Sequence, residues 1–393
     1  MGTRDLRTQD FFFDLPESLI AQEPSGERGD DRLMVLRRPK HGEPAIEPVI
    51  EHKMVRGLPE LLPKDTLLVL NNSRVRKARI YGTSREHGGT AEFLLIKQTA
   101  ATEWEALCKR AKRKNAGDVF VFPPHRGFHR ERHDTDGRQS PSGGRGEACP
   151  GDNGAVSVGR EPATETATEA EITGHTENGV RLRFNRPVDD GYLDKYGHIP
   201  LPPYIRRNDT AQDAARYQNV YAKPHGSIAS PTAGLHLTEA LLAEIQKRGI
   251  ETAFVTLHVG LGTFLPVRTE RVEDHRMHEE HYTIDEDCAE KVNSALRERR
   301  PITAVGTTSL RCLESAWRDG RVEPGSRATA IFIYPGYEFK VVRHLFTNFH
   351  TPCSTLLMLV SALAGRDAVL SAYQKAVTER YRFFSYGDAM LIL

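Results

Sequence analysis

The stretch ITAVGTTSLRCLESAWRDG, residues 302–320, decides the fold class. Four residues, Ile302 to Val305, form a short apolar run of the length and β-branched content of a buried strand. The small-residue turn Gly306-Thr307-Thr308-Ser309 follows, then an apolar-periodic segment over 310–317 that reads as a helix, ended by Asp319-Gly320. A second unit has the reverse order. Thr238 stands where an N-cap is expected, Leu241, Leu242 and Ile245 form an apolar stripe, and Gly249 closes the helix before a strand-like run over 251–259. Strands alternating with helices from about residue 189 onward argue an α/β domain.

The chain upstream has a different texture. Short strand-like runs over 67–71, 75–81, 90–97, 103–109 and 119–122, with another at 180–184 and a Gly88-Gly89 hairpin signal, predict a small all-β, barrel-like unit. Between them, residues 129–171 are rich in Gly, Ser, Thr, Glu and Arg and contain no Leu, Ile, Met or aromatic residue. Such a segment buries too little apolar surface to offset its ordering entropy and is expected to be a disordered insertion. The expected organisation is therefore an α/β domain in two segments, 1–66 and 189–393, flanking an inserted β domain at 67–188.

The 393 residues carry 54 Lys/Arg and 53 Asp/Glu, a formal net charge of +1, which excludes a strongly basic protein overall. The segment 129–171 holds nine acids and five arginines, so 49 basic and 44 acidic residues remain outside it, a balance of +5. Two local clusters hold nine cations: Arg74, Arg76, Lys77 and Arg79, and Lys109, Arg110, Lys112, Arg113 and Lys114. They are the candidate contacts to nucleic-acid phosphates, the alternative being a solvated basic face. Five dispersed cysteines with no C-x-x-C pair give neither a disulfide framework nor a zinc knuckle, and fit a reducing cytoplasm. The N-terminus lacks a signal-peptide pattern and no apolar run approaches membrane-spanning length, so no membrane association is expected.

Histidines concentrate in the α/β part: His236, His258, His275, His278 and His281. Period-two alternation over 278–283 places His278, Glu280 and Tyr282 on one face, a candidate acid–base pair. His275, His278 and His281 with Glu280 offer metal donors, but their spacing matches no zinc signature, and no metal is expected. The turn at Gly306, Thr307, Thr308 and Ser309 opens a helix, where backbone N–H groups and hydroxyls suit an anion or a ribose. An ordinary capped helix is the plain alternative, since the glycine spacing of the nucleotide-binding fingerprints is missing.

LPESLIAQEP (residues 15–24), DRLMVL (31–36), LLVLNNSRVRKARIYG (67–82), GHIPLPPYI (197–205), PTAGLHLT (231–238), TLHVGLGTF (256–264), AVGTTSLR (304–311), TNFHTPCSTLLMLVSALAG (347–365) and RYRFFSYGDAMLI (380–392) resemble the S-adenosylmethionine:tRNA ribosyltransferase-isomerase family of queuosine biosynthesis. The resemblance runs nearly end to end, interrupted only at 129–171. It implies a distorted α/β barrel-like catalytic domain, discontinuous in sequence, with an inserted small β-barrel domain. It also implies a transferase that consumes S-adenosylmethionine. The ribosyl group passes to 7-aminomethyl-7-deazaguanine at the wobble position of tRNA and isomerises, giving epoxyqueuosine with release of adenine and methionine. The expected solution state is a monomer.

In that chemistry the sulfonium acidifies the ribose 5′ carbon, so a base, a proton donor to departing adenine and control of an oxyanion are required. His236, His258, His278 and Glu280 are the candidates. Gly234, Gly260, Gly262, Thr263, Gly306, Thr307, Thr308, Ser309, Asn348 and His350 are the candidate substrate-binding residues. The aromatics of 381–386 suit either base stacking or core. This chain departs from the family pattern at Ser230, Leu237, Arg343 and Cys353, where Ala, an aromatic, Asp and Glu respectively are expected. These departures are expected to touch fine packing and tRNA contacts. Two rivals have distinct readouts: a methyltransferase would leave S-adenosylhomocysteine, and a noncatalytic tRNA-binding protein would shift tRNA without turnover.

Overall fold

The computed structural model describes residues 5–38, 49–123, 167–177, 179–260 and 267–393. The chain forms two compact units, one of Met1–Ile80, Leu94–Ile96 and Val188–Leu393, the other of Tyr81–Phe93 and Lys97–Pro187.

The larger unit is built on a nine-stranded mixed sheet. Its order is Gly325–Thr329, Glu280–Ile284, Glu251–Leu257, Leu67–Asn71, Ile302–Val305, His344–Asn348, Ala389–Ile392, Arg32–Arg37 and Val49–Met54. The four strands from Glu251–Leu257 to His344–Asn348 are mutually parallel; Ala389–Ile392 runs against them and parallel to Arg32–Arg37. Leu67–Asn71 and Ile302–Val305 are buried at every position, as central strands covered on both faces must be. Alternate residues feed two cores. Leu67, Val69, Ile302 and Ala304 pack with the helices Glu286–Arg297, Thr307–Ala316, Thr355–Ala364 and Arg366–Thr378. Leu68, Leu70 and Val305 pack with Leu58–Leu61 and Glu239–Lys247. No single helix among the described residues is long and apolar enough to cross a membrane.

The smaller unit contains most of a closed six-stranded antiparallel barrel in the order Val180–Phe184, Glu103–Cys108, Thr90–Ala100, Arg79–Ser84, Val119–Phe122 and Thr168–His175, of which residues 79–80 and Leu94–Ile96 are counted with the larger unit. The core is aromatic: Phe93 meets Phe120 edge-on at 5.0 Å, and Phe122 lies 5.6 Å from Phe184. Gly82 faces this core, and a Cβ there would come within 2.7 Å of the Phe122 ring. The Gly88 hairpin signal corresponds to a turn in which Ser84 N–H donates to Gly89 O and Gly88, at φ +66°, donates to Ser84 O.

Several sequence expectations change. Leu67–Asn71, expected in the inserted β domain, is a central strand of the large sheet, because its uninterrupted apolar content suits two covered faces. The smaller unit begins near Tyr81. Among the described residues the large sheet has two edge strands, Gly325–Thr329 and Val49–Met54, and no closure corresponding to the expected barrel-like α/β domain. The expected insertion at 129–171 lies largely outside the described residues, but its last four belong to the barrel strand Thr168–His175, where Ala170 and Ile172 point inward between polar residues. The helix after Gly306 starts at Thr307, and Asp319-Gly320 turns a small hairpin between Trp317–Arg318 and Arg321–Val322.

Candidate active site

One end of the large sheet collects the polar residues. Ligands of open parallel sheets sit outside the carboxyl ends of the strands. His258 follows Glu251–Leu257, Ser73 follows Leu67–Asn71, Gly306 follows Ile302–Val305, and His350 follows His344–Asn348. Asp31 and Asp388 precede Arg32–Arg37 and Ala389–Ile392, whose opposite direction brings their starts to the same end. A cavity of about 220 Å³ opens there. Gly306, Thr307 and Thr308 line it, with Thr347 to Ser354, Ser230 to Ala233, Tyr204, Phe384 and Ser385.

Gly306 carries the positive φ of +85° that lets the chain turn from strand to helix, and no side chain caps the helix it opens. The first N–H groups of Thr307–Ala316 thus lie at the cavity wall, where the helix dipole favours an anion or hydroxyl oxygen. Asn71 fixes this corner: its Nδ2 donates to Leu257 O at 3.0 Å and to Thr308 Oγ1 at 3.2 Å, while its Oδ1 accepts from Ser73 N and Leu257 N. Ser309 turns away and donates to Val305 O at 2.7 Å.

The histidines differ sharply in setting. His236 is 2% exposed, and both ring nitrogens are engaged, Nδ1 with Asp31 Oδ2 at 2.6 Å and Nε2 with Asn348 Nδ2 at 3.0 Å. Burial works to raise the Asp31 carboxyl, but hydrogen bonds from His236 and Ser25 outweigh it and hold it below the usual carboxylate range. His258 Nδ1 lies 2.8 Å from Ser73 Oγ, which lies 2.6 Å from Ser227 Oγ, which accepts from Val259 N at 3.0 Å. Burial, with Arg76 and His281, lowers the His258 imidazole below its ordinary value, which favours the neutral ring. Gly226 makes room for the ring: a Cβ there would come within 2.6 Å of it. His350 lines the cavity, its Nε2 3.0 Å from Thr347 Oγ1, and burial lowers it to about 3.

A profile of the family described as queuosine biosynthesis protein matches residues 8–392. A protein of Treponema denticola named S-adenosylmethionine:tRNA ribosyltransferase-isomerase is 48% identical over 98% of this chain and 99% of its own length. The protein of that name from Clostridioides difficile is 44% identical over 98% of this chain and all of its own. The chain belongs to this family. A crystal structure of S-adenosylmethionine tRNA ribosyltransferase from Thermotoga maritima covers 98% of the chain at 33% identity, with a TM-score of 0.49.

The remaining candidates in this ribosyltransferase-isomerase family member separate on exposure and partners. His278 is exposed and precedes the strand Glu280–Ile284; buried Glu280 pairs with Arg311. Glu280 Oε1 also accepts from Gly260 N at 3.4 Å. Gly234 is a packing residue, since a Cβ would come within 2.1 Å of the Tyr221 hydroxyl. Gly262 and Thr263 lie outside the described residues. Among the described residues no three His, Cys, Asp or Glu side chains converge as a metal would require. Phe349, Tyr381 and Phe383 are core. Ser230 and Cys353, departures from the family pattern, line the cavity itself.

The cations also divide. Arg74, Arg76, Lys77 and Arg79 belong to the larger unit, and three are engaged: Arg76 with Asp190 at 2.5 Å, Lys77 with Asp194 O at 2.8 Å and Arg79 with Leu201 O at 3.0 Å. Arg74 is exposed. In the smaller unit, Lys109, Arg110, Lys112 and Arg113 are exposed around the short turn Ala111–Arg113, Lys109 pairing with Glu92, while Lys114 lies over the Phe120 ring. Asp31 escaped the sequence reading. Its partner is 205 residues away, and only the acid immediately before an apolar strand hinted at a site.

Proposed function

We propose that this chain transfers and isomerises the ribosyl group of S-adenosylmethionine onto 7-aminomethyl-7-deazaguanine at the wobble position of tRNA, releasing adenine and methionine. The observation that carries the proposal is the cavity at the carboxyl ends of the parallel strands, in a chain of this family. There an uncapped helix N-terminus, threonine hydroxyls and the buried imidazole of His350 share one wall system.

S-adenosylmethionine occupies that cavity in this reading. The N–H groups and hydroxyls of Thr307 and Thr308 receive its carboxylate or ribose oxygens, and Phe384, Val259 and Leu356 supply apolar surface. His258 is the favoured base for the 5′ proton. A base near neutrality must be unprotonated to act, and burial beside Arg76 favours that form. The hydroxyl chain can serve that role: with the ring proton on Nδ1 donated to Ser73 Oγ and the Ser73 hydroxyl donated to Ser227 Oγ, which also accepts from Val259 N–H, the His258 Nε2 lone pair is left bare to take the proton. His350 is a neutral donor or acceptor for the later steps. The exposed cations around Ala111–Arg113 are assigned to tRNA phosphates.

The test is incubation of the full chain with S-adenosylmethionine and tRNA bearing the aminomethyl-deazaguanine, followed by nucleoside mass analysis and adenine quantification. Epoxyqueuosine with one adenine per event is expected. S-adenosylhomocysteine, or tRNA binding without either product from folded protein, would overturn the reading.

A further inference from the structure

Asn348 is 2% exposed at the end of the strand His344–Asn348, and its amide has one allowed orientation. The Phe384 carbonyl 3.1 Å away can only accept, so the atom facing it is Nδ2. That same Nδ2 faces His236 Nε2, which therefore accepts, and the ring proton rests on Nδ1, donated to Asp31. Asp31 also accepts from the Ser25 hydroxyl. The chain of donors leaves one atom over. Asn348 Oδ1 is buried without a partner in a residue that lines the cavity, and Ser230 Oγ, in a side chain 4% exposed, is likewise unpartnered there. An unmet buried acceptor costs about 1–3 kcal/mol, so its retention points to a donor brought by a ligand.

We propose that Asp31 and His236 are positioning residues that hold the Asn348 carbonyl oxygen as an acceptor for an N–H or O–H group of bound S-adenosylmethionine, with Ser230 as a second contact. The inference rests on the cavity being the S-adenosylmethionine site. His236 thereby acts through Asn348 and moves no proton. Replacing Asp31 with Leu keeps about the same volume but removes the acceptor of the His236 Nδ1 proton, so the ring is no longer held with Nε2 bare toward the Asn348 N–H. Asn348 cannot answer by rotating, because Oδ1 would then meet the Phe384 carbonyl.

Calorimetric titration of S-adenosylmethionine into the full chain tests this, with ¹⁵N NMR of the histidine rings reporting the tautomer. Wild type is expected to show His236 protonated on Nδ1. Asp31→Leu should release His236 from the Nδ1-protonated tautomer and weaken binding about 10- to 100-fold, and Asn348→Ala should weaken it as much. Because Asp31 acts through Asn348, the double variant should bind no worse than Asn348→Ala alone, whereas a merely structural role would make the losses add. Analogues lacking the 6-amino group, the 2′-hydroxyl or the 3′-hydroxyl identify the donor: its removal costs wild type but not Asn348→Ala. An Nε2-protonated His236 in wild type overturns the proposal whatever the variants do. So do unchanged affinity in Asp31→Leu, additive losses, or analogues that all lose equally on both proteins. Wild type that fails to bind S-adenosylmethionine at all would instead overturn the reading of the cavity, and this inference with it.

Discussion

Glu280 and Arg311 form an ion pair sealed from solvent, with side chains 6% and 3% exposed, joining the strand Glu280–Ile284 to the helix that opens at the cavity wall. A buried charge left without its counterpart is penalised far more than the pair itself contributes. Glu280→Gln and Arg311→Met should each destabilise the protein by about 3–5 kcal/mol, and the double variant by much less than the sum. Urea unfolding of the four proteins measures it. Single losses below about 1 kcal/mol would show that water reaches the pair.

His258 and His278 were equal candidates on sequence and are unequal in the structure. His258 sits in the hydroxyl chain with Ser73 and Ser227 and burial favours its neutral form, whereas His278 is exposed and Glu280 pairs with Arg311. His258→Gln should lower adenine release about 10²- to 10⁴-fold, the usual contribution of a general base. His278→Gln should stay within about threefold of wild type. Equal losses in the two variants would remove His258 from the role of base.

What the sequence made legible follows from the range of the interaction that decides each feature. The barrel strands Val119–Phe122 and Val180–Phe184 were readable because period-two burial is local, and Thr238 capping Leu241 N at 3.0 Å is equally local. The strand Leu67–Asn71 was located but assigned to the wrong domain, since only its neighbours Glu251–Leu257 and Ile302–Val305, both far along the chain, reveal which sheet it joins. Thr168–Glu171 escaped notice because its inward residues are small or polar. The cavity was half legible. Gly306 to Thr308, Asn348 and His350 stood out as candidates for its lining, whereas Asp31 and Ser73, though inside quoted motifs, and Ser227 gain a role beside it only from contacts across long sequence separations.

The two basic clusters should behave differently. Each phosphate contact contributes about 0.7–0.9 to the slope of log affinity against log salt. Changing Lys109, Arg110, Lys112 and Arg113 together to Ala should flatten that slope for tRNA by about 3, with S-adenosylmethionine affinity unchanged. Arg76→Ala should act on stability through the lost Asp190 contact and leave the slope within about 1 of wild type. Filter binding at several salt concentrations separates the outcomes; an unchanged slope in the quadruple variant would remove this turn from the tRNA interface.

His350 should make the protein acid-sensitive before most carboxylates titrate. Its imidazole, ordinarily near 6.5, is lowered by burial to about 3, and His344, buried near Arg38 and Arg343, is lowered to about 4. Between those values and 6.5 the unfolded chain binds protons that the folded chain refuses. Stability therefore rises with pH across this window and falls on acidification, by about 1.4 kcal/mol per pH unit for each group where the difference is full. His350→Gln removes one such group, so its urea midpoint should lie below wild type at pH 7, where the packed neutral ring is lost, yet decline less steeply from pH 6.5 to 4.5. Parallel declines in the two proteins would mean that His350 accepts its proton without unfolding, and that the cavity beside Thr347 admits water.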